Sequence, residues 1–142
     1  MKKNNILCSA CLLGIKCRYD GKSKPNEKII KLSKKVFLIP VCPEQLGGLP
    51  TPRVPAEQKR NKVFTKNGKD VTKNFLKGAE ETLKIIRLFN TKKAILKQRS
   101  PSCGCGQIHD GTFSDMIIKG DGVTAALLKR NGIKVISEED LK

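Results

Sequence analysis

Apolar residues along this chain fall into short runs separated by polar, glycine- and proline-rich stretches, a pattern that predicts strands alternating with helices. Ile6 to Cys8 has the composition of a strand, and the continuous run Val36 to Val41 that of a buried parallel strand, with Pro40 marking where regular pairing stops. Between them, Ser9 to Lys24 reads as a long loop and Asn26 or Glu27 to about Ser33 as a helix. Pro43, Pro50, Pro52 and Pro55 forbid a continuous helix or central strand over Cys42 to Pro55, so this stretch reads as an ordered or binding loop. Lys62 to Thr65 with the Asn67-Gly68 pair suggests a small turn or ribbon. Asp70 is a candidate N-cap for a long helix in which Val71, Phe75, Ala79, Leu83, Ile86 and Phe89 or Asn90 define one buried stripe. Gly78 within it suggests close packing. Ala94 to Leu96 is the next strand, Lys97 to Cys105 a polar loop, and Gln107 to Gly122 a glycine-rich excursion. Val123 to Arg130 reads as a helix closed by Gly132, and Ile133 to Ile136 as the last strand.

This alternation predicts a compact three-layer, Rossmann-like α/β domain with a mainly parallel sheet, one domain over residues 1–142. A chain of this length buries about 70% of its unfolded surface, enough for a core without staples. The start, Met1-Lys2-Lys3-Asn4-Asn5, leads into no signal-peptide core and no bilayer-spanning run, so a cytoplasmic protein without membrane contact is expected. In a reducing compartment the six cysteines are free thiols, metal ligands or reactive groups rather than a disulfide framework.

Charge narrows the partner. Twenty-nine Lys plus Arg against thirteen Asp plus Glu give a net charge of +16, a field that attracts phosphates, nucleotides or RNA. Most individual lysines are read as solvated surface.

The chemistry gathers where three cysteines fall. Cys11, Cys42 and Cys103 each lie just beyond the C-terminal end of a predicted strand, the edge where open parallel sheets bind ligands. Three thiolates at one point repel one another unless a cation joins them, and three ligands leave one metal position open for chemistry. Spacing alone also allows a four-cysteine zinc site of Cys8, Cys11, Cys103 and Cys105, and with it a zinc-stabilised basic module that binds RNA or nucleotides without transforming them. Five Phe, one Tyr and no Trp offer that module few stacking platforms. Cys8 is expected to sit in its strand as a small buried hydrophobe, while Cys17 and Cys105 stay unassigned. Glu44, two residues after Cys42, is a candidate general acid or base. Ser100 and Ser102 flank Pro101 and are candidates to orient a substrate or water. Arg18, Arg53, Lys97 and Arg99 are candidate phosphate ligands. His109, the only histidine, reads as an ordinary loop residue.

Five motifs carry a further reading: Ser9-Ala10-Cys11-Leu12-Leu13-Gly14, Cys17-Arg18-Tyr19-Asp20-Gly21, Pro40-Val41-Cys42-Pro43-Glu44, Gly47-Gly48-Leu49-Pro50-Thr51-Pro52-Arg53 and Ser100-Pro101-Ser102-Cys103-Gly104. In this order they resemble the TudS-type thiouracil desulfidases over essentially the whole chain. The resemblance implies a 4Fe-4S cluster held by Cys11, Cys42 and Cys103, with Glu44 as catalytic acid/base and Ser100 as the substrate-orienting serine. The expected reaction is non-redox hydrolysis of a 4-thiopyrimidine (4-thiouracil, 4-thiouridine or its monophosphate) to the oxo-pyrimidine and hydrosulfide. Ser102, Arg18, Arg53 and Lys97 are the expected substrate-binding residues. The charge favours a phosphate-bearing small molecule, with thiolated tRNA as the larger alternative. A cluster-dependent sulfur transferase is a rival, disfavoured because no Walker-type glycine motif is present to activate an oxygen with ATP.

Overall fold

The computed structural model describes residues 4–141; Met1 to Lys3 of the amino-terminal stretch read above lie outside the described residues. Strand β1 (Asn5–Ser9) runs into a 3-10 turn, Ala10–Leu13, where the polar pattern predicts only loop. The turn forms because Ala10, Cys11 and Leu12 are buried, and Gly14 ends it in a left-handed conformation, φ 94°. Helix α1 (Glu27–Leu32) is capped by Asn26, whose side chain accepts the Ile29 N–H at 3.2 Å. Strand β2 (Phe37–Val41) leads directly into α2 (Pro43–Leu46), one turn with Pro43 at its start, inside the stretch read as loop. Strands β3 (Ala56–Lys59) and β4 (Lys62–Thr65) form an antiparallel hairpin. Helix α3 (Thr72–Leu88) returns the chain to β5 (Lys93–Leu96). A second hairpin, β6 (Gln107–His109) with β7 (Ile117–Lys119), occupies the glycine-rich excursion, and α4 (Val123–Arg130) leads to β8 (Lys134–Ser137).

The main sheet has the order β2-β1-β5-β8 and every pairing in it is parallel. The chain steps outward from β1 to β2, then crosses to the other side of β1 for β5 and β8. The direction of winding therefore reverses between β1 and β5, and the crevice above that point is where such sheets hold ligands. Alternate residues point to opposite faces. Leu7, Ala94, Leu96 and Val135 pack with Leu83, Ile86 and Leu128 of α3 and α4. Cys8 and Ile95 pack with Leu12 and Ile29 on the α1 side. Helices thus cover both faces, giving the expected three layers.

Four expectations need correction. Strand β2 is an edge strand rather than a buried one: Phe37 is 55% exposed, and pairing continues through Pro40, which lies opposite Cys8. An edge position tolerates the missing proline N–H, so Pro40 does not end the strand. The α3 stripe is buried from Val71 to Ile86, but Phe89 is 51% exposed at the helix end. Asp70 accepts the Thr72 N–H at 2.9 Å from one place before the formal cap, Val71.

Gly78 meets its expectation. A Cβ there would lie 1.9 Å from the Pro43 carbonyl oxygen, and one on Gly47 would lie 2.0 Å from that of Asn74. Helices α2 and α3 therefore touch backbone to backbone. Among the described residues no helix is long and apolar enough to cross a membrane.

Candidate active site

A cleft of about 450 Å³ opens at the C-terminal ends of β1, β2 and β5, and Cys11, Cys42 and Cys103 all line it. Each arrives by a different element. Cys11 sits in the turn after β1, Cys42 caps α2 immediately after β2, and Cys103 lies in the turn beyond β5. Cys17 lines the same cleft, and its thiol meets those of both Cys11 and Cys42. All six cysteines are free.

Burial pushes the Cys103 thiol up to about 12, with the neighbouring Glu44 and Cys42 adding to the rise. Cys42 is raised by its thiol hydrogen bond with Cys17 and by burial, and Cys17 by its contact with Cys11. Left to themselves, these thiols keep their protons, because each new thiolate would be desolvated and repelled by its neighbours. A bound cation reverses that balance, since it converts crowding of negative charge into attraction. The donors suit a soft, thiophilic metal centre.

The remaining cysteines do not complete a zinc site. Cys8 is fully buried within β1 with its thiol on the Ser9 carbonyl, and burial pushes it up to about 12. The Cys105 thiol donates to the Val135 carbonyl at 3.4 Å, and neither residue lines the cleft. Two of the four ligands in the zinc alternative therefore face elsewhere. Among the described residues, no three His, Cys, Asp or Glu side chains are arranged to hold one metal ion. A single zinc needs donors about 2.3 Å from one point, whereas a four-iron cube takes each thiolate on a different iron.

Glu44 enters the cleft from the first turn of α2. Its Oε1 accepts from Arg53 Nε at 3.1 Å, with the two side chains 17% and 6% exposed respectively. Burial raises the Glu44 carboxyl above the usual carboxylate range, although the Arg53 charge pulls the other way. Arg53 was expected to bind phosphate, but its fork is already occupied: Nη1 donates to Pro50 O and Thr51 Oγ1, and Nη2 to Cys17 O. It ties the proline-rich loop to the Cys17 loop and to Glu44 instead.

The two serines diverge. Ser100 lines the cleft, and its Oγ accepts the N–H groups of Ser102 and Cys103 at 3.1 and 3.0 Å. With both lone pairs engaged, the hydroxyl proton is left to donate. Ser102, expected to touch substrate, is 1% exposed and bonds Thr124 Oγ1 at 2.8 Å, behind the cleft wall. In a tight turn, residues two apart need not face one way.

Lys97 lines the cleft but is paired with Glu138 at 3.1 Å, and Arg99 is paired with Glu139 and bonded to Gln107. Arg18 is the expected cation with no ion-pair partner among the described residues; its guanidinium lies 5.6 Å from the Tyr19 ring centre at the cleft wall. Sequence reasoning missed another part of the lining, Glu57, Lys66, His109 and Phe113. Glu57 is 9% exposed, and its Oε1 accepts the N–H groups of Gly111 and Phe113 at 3.0 and 3.1 Å. The Asp110-Gly111 pair is a turn signal in the sequence, but nothing there shows which carboxylate receives the turn's amides.

The profile of the 2-thiouracil desulfurase family matches residues 6–140 of this chain. The protein YbbK of Bacillus subtilis (strain 168), described as uncharacterized, is 47% identical over 146 residues, covering 96% of this chain and 97% of its own. Among solved structures, a 4Fe-4S-dependent thiouracil desulfidase, TudS, is 45% identical and superposes with a TM-score of 0.93, covering 98% of this chain and 93% of that one.

Proposed function

The chain belongs to the 2-thiouracil desulfurase family, and from that premise we propose that it is a cytoplasmic 4Fe-4S enzyme that hydrolytically removes sulfur from a thiolated pyrimidine. The observation that carries this reading is the convergence of Cys11, Cys42, Cys103, Glu44 and Ser100 on one cleft. Cys11, Cys42 and Cys103 would hold the cluster. When bound there, a 4Fe-4S cluster with three protein ligands supplies an open iron, a Lewis acid suited to a thiocarbonyl sulfur.

The chain's own groups supply the rest. Arg53 fixes Glu44 Oε1, which leaves Oε2 to orient a water and take its proton, and the raised carboxyl makes a stronger base than an exposed one. The Ser100 hydroxyl, its lone pairs held by two amides, donates to the ring and holds it for attack. Water contributes the oxygen of the new carbonyl, and sulfur departs as hydrosulfide, so no electrons are exchanged with an outside partner. Arg18, with no ion-pair partner among the described residues, and the charge of +16 support a phosphate-bearing substrate such as 4-thiouridine monophosphate. A cleft of about 450 Å³ accommodates a mononucleotide, within the usual range for small-molecule sites.

The test is iron, zinc and acid-labile sulfide per chain after oxygen-free reconstitution, followed by incubation with 4-thiouracil, 2-thiouracil and 4-thiouridine monophosphate. The expected result is about four iron and four sulfide per chain, with sulfide released in step with loss of thiocarbonyl absorbance. About one zinc without labile sulfide, or a loaded cluster that releases no sulfide from any of the three compounds, would overturn the reading.

A further inference from the structure

We propose that His109 is a specificity residue, which donates a hydrogen bond from Nε2 to the exocyclic oxygen that the pyrimidine keeps. The inference rests on the desulfidase reading and names the part of the substrate that this part of the cleft lining recognises.

His109 ends β6 and lines the cleft. Its Nδ1 is buried and has no hydrogen-bond partner among the described residues. A neutral imidazole carries one proton on one of its two nitrogens. An unpaired buried N–H is rarer and less tolerable than an unpaired acceptor, which in a neutral ring leaves the proton to Nε2, an atom that is not buried without a partner. Among the described residues Nε2 has no hydrogen-bond partner either, so this cleft-lining residue keeps a donor available to a ligand.

The backbone that carries the ring is also held in place. His109 pairs with Ile117 across the hairpin, and the loop that follows hangs by two amides from Glu57. Gly111 sits so close to β3 that a Cβ would lie 2.7 Å from Gln58 O. Phe113, which lines the cleft beside this histidine, has φ 57°, a left-handed conformation that persists only where the surroundings fix it. An aromatic side chain and an imidazole therefore line the same cleft on a backbone that is held.

Most other cleft donors are spoken for, and the Tyr19 hydroxyl belongs with Arg18, whose guanidinium lies over that ring. Arg53, Lys97 and Arg99 are committed to carboxylates and carbonyls, and Ser100 is assigned to the reacting end of the ring. Arg18 and Lys66 are cations on long stems, suited to phosphate and poor at fixing a neutral carbonyl. A thiouracil carries two exocyclic atoms: a soft sulfur, which suits a metal centre, and an oxygen, which needs a hydrogen-bond donor. A site built around that donor rejects an analogue lacking the oxygen.

The experiment measures binding of uracil and of pyrimidin-4-one, which lacks the second oxygen, to the cluster-loaded protein by calorimetry. Wild type is compared with His109→Leu, which removes the polar atom, and His109→Gln, whose amide nitrogen takes the Nε2 position. Wild type is expected to prefer uracil by about tenfold, the worth of one such hydrogen bond. His109→Leu should lose the preference without a lower melting temperature, since it also removes the unpaired Nδ1, and His109→Gln should restore part of it. An equal preference in wild type and His109→Leu, or no preference in wild type, overturns the proposal. A wild type that prefers uracil but releases no sulfide from thiouracils would instead count against the desulfidase reading alone.

Discussion

Arg53 Nε lies 3.1 Å from Glu44 Oε1, and the same guanidinium reaches the carbonyls of Pro50 and Cys17. One side chain therefore fixes both the Glu44 carboxylate in the cleft and the loop that carries Cys17.

Arg53→Lys should show what that fork does. A single ammonium cannot replace three nitrogens aimed at separate acceptors, and a buried pair missing its proper partner loses about 3 kcal/mol. We expect a urea midpoint lowered accordingly, together with a lower kcat. Glu44→Gln preserves an oxygen for Arg53 and should keep the iron content while turnover falls by at least about a hundredfold, as loss of a general base implies. Undiminished turnover in Glu44→Gln would remove that carboxylate from the reaction.

Alanine at each cysteine separates ligands from bystanders. Cys11→Ala, Cys42→Ala and Cys103→Ala should each reconstitute with little iron and sulfide. Cys8→Ala and Cys105→Ala should load fully, because those thiols face backbone carbonyls away from the cleft. Cys17→Ala is the informative case. Its thiol lies against Cys11 and Cys42, and it should also load; iron loss there would redraw the ligand set.

Gly78→Ala tests the seat of α2. The added methyl would meet Pro43 O at 1.9 Å, and backbone cannot move aside as a side-chain tip does. A destabilisation of about 3 kcal/mol, at the upper end for overpacking, should appear in denaturant melts. Turnover should fall as well, because Pro43 and Glu44 open the same helix. A melt matching wild type would show that the two helices separate freely.

Acid should loosen the turn that follows β6 at a definable point. Hydrogen bonds from the Thr112 hydroxyl and amide hold the Asp110 carboxyl below the ordinary aspartate value. A depressed folded-state pKa contributes stability that is present above the unfolded value, about 3.9, and is lost as pH falls through the folded value. Carbon-detected NMR should find Asp110 titrating below about 3.9, with Thr112 and Phe113 amides shifting in step, and Asp110→Asn should abolish that coupled step. Titration of Asp110 at the ordinary value would show that the turn does not depend on its charge.

The parallel sheet was legible because its strands are compact apolar runs, and the cysteines because each follows one of those runs. Strand β3 was not, since Ala56-Glu57-Gln58-Lys59 has no alternation of apolar and polar residues. Its fold depends instead on what lies across from it, including the amides of Gly111 and Phe113 that Glu57 receives. The divergence of Ser100 and Ser102 and the capture of Arg53 by carbonyls are set by backbone direction in loops, which residue type does not encode. His109 was passed over for a related reason: a lone histidine in a polar stretch carries no sign of the wall it will join.

The central position of β5 has a consequence for assembly. Cys11 and Cys42 lie near the amino end of the chain and sit beyond two strands that pair with each other, but Cys103 arrives only when β5 docks between β1 and β8. A partly synthesised chain that ends within α3 exposes thiols without their third companion. If these three thiols hold the centre, its loading waits for β5 to dock on β1.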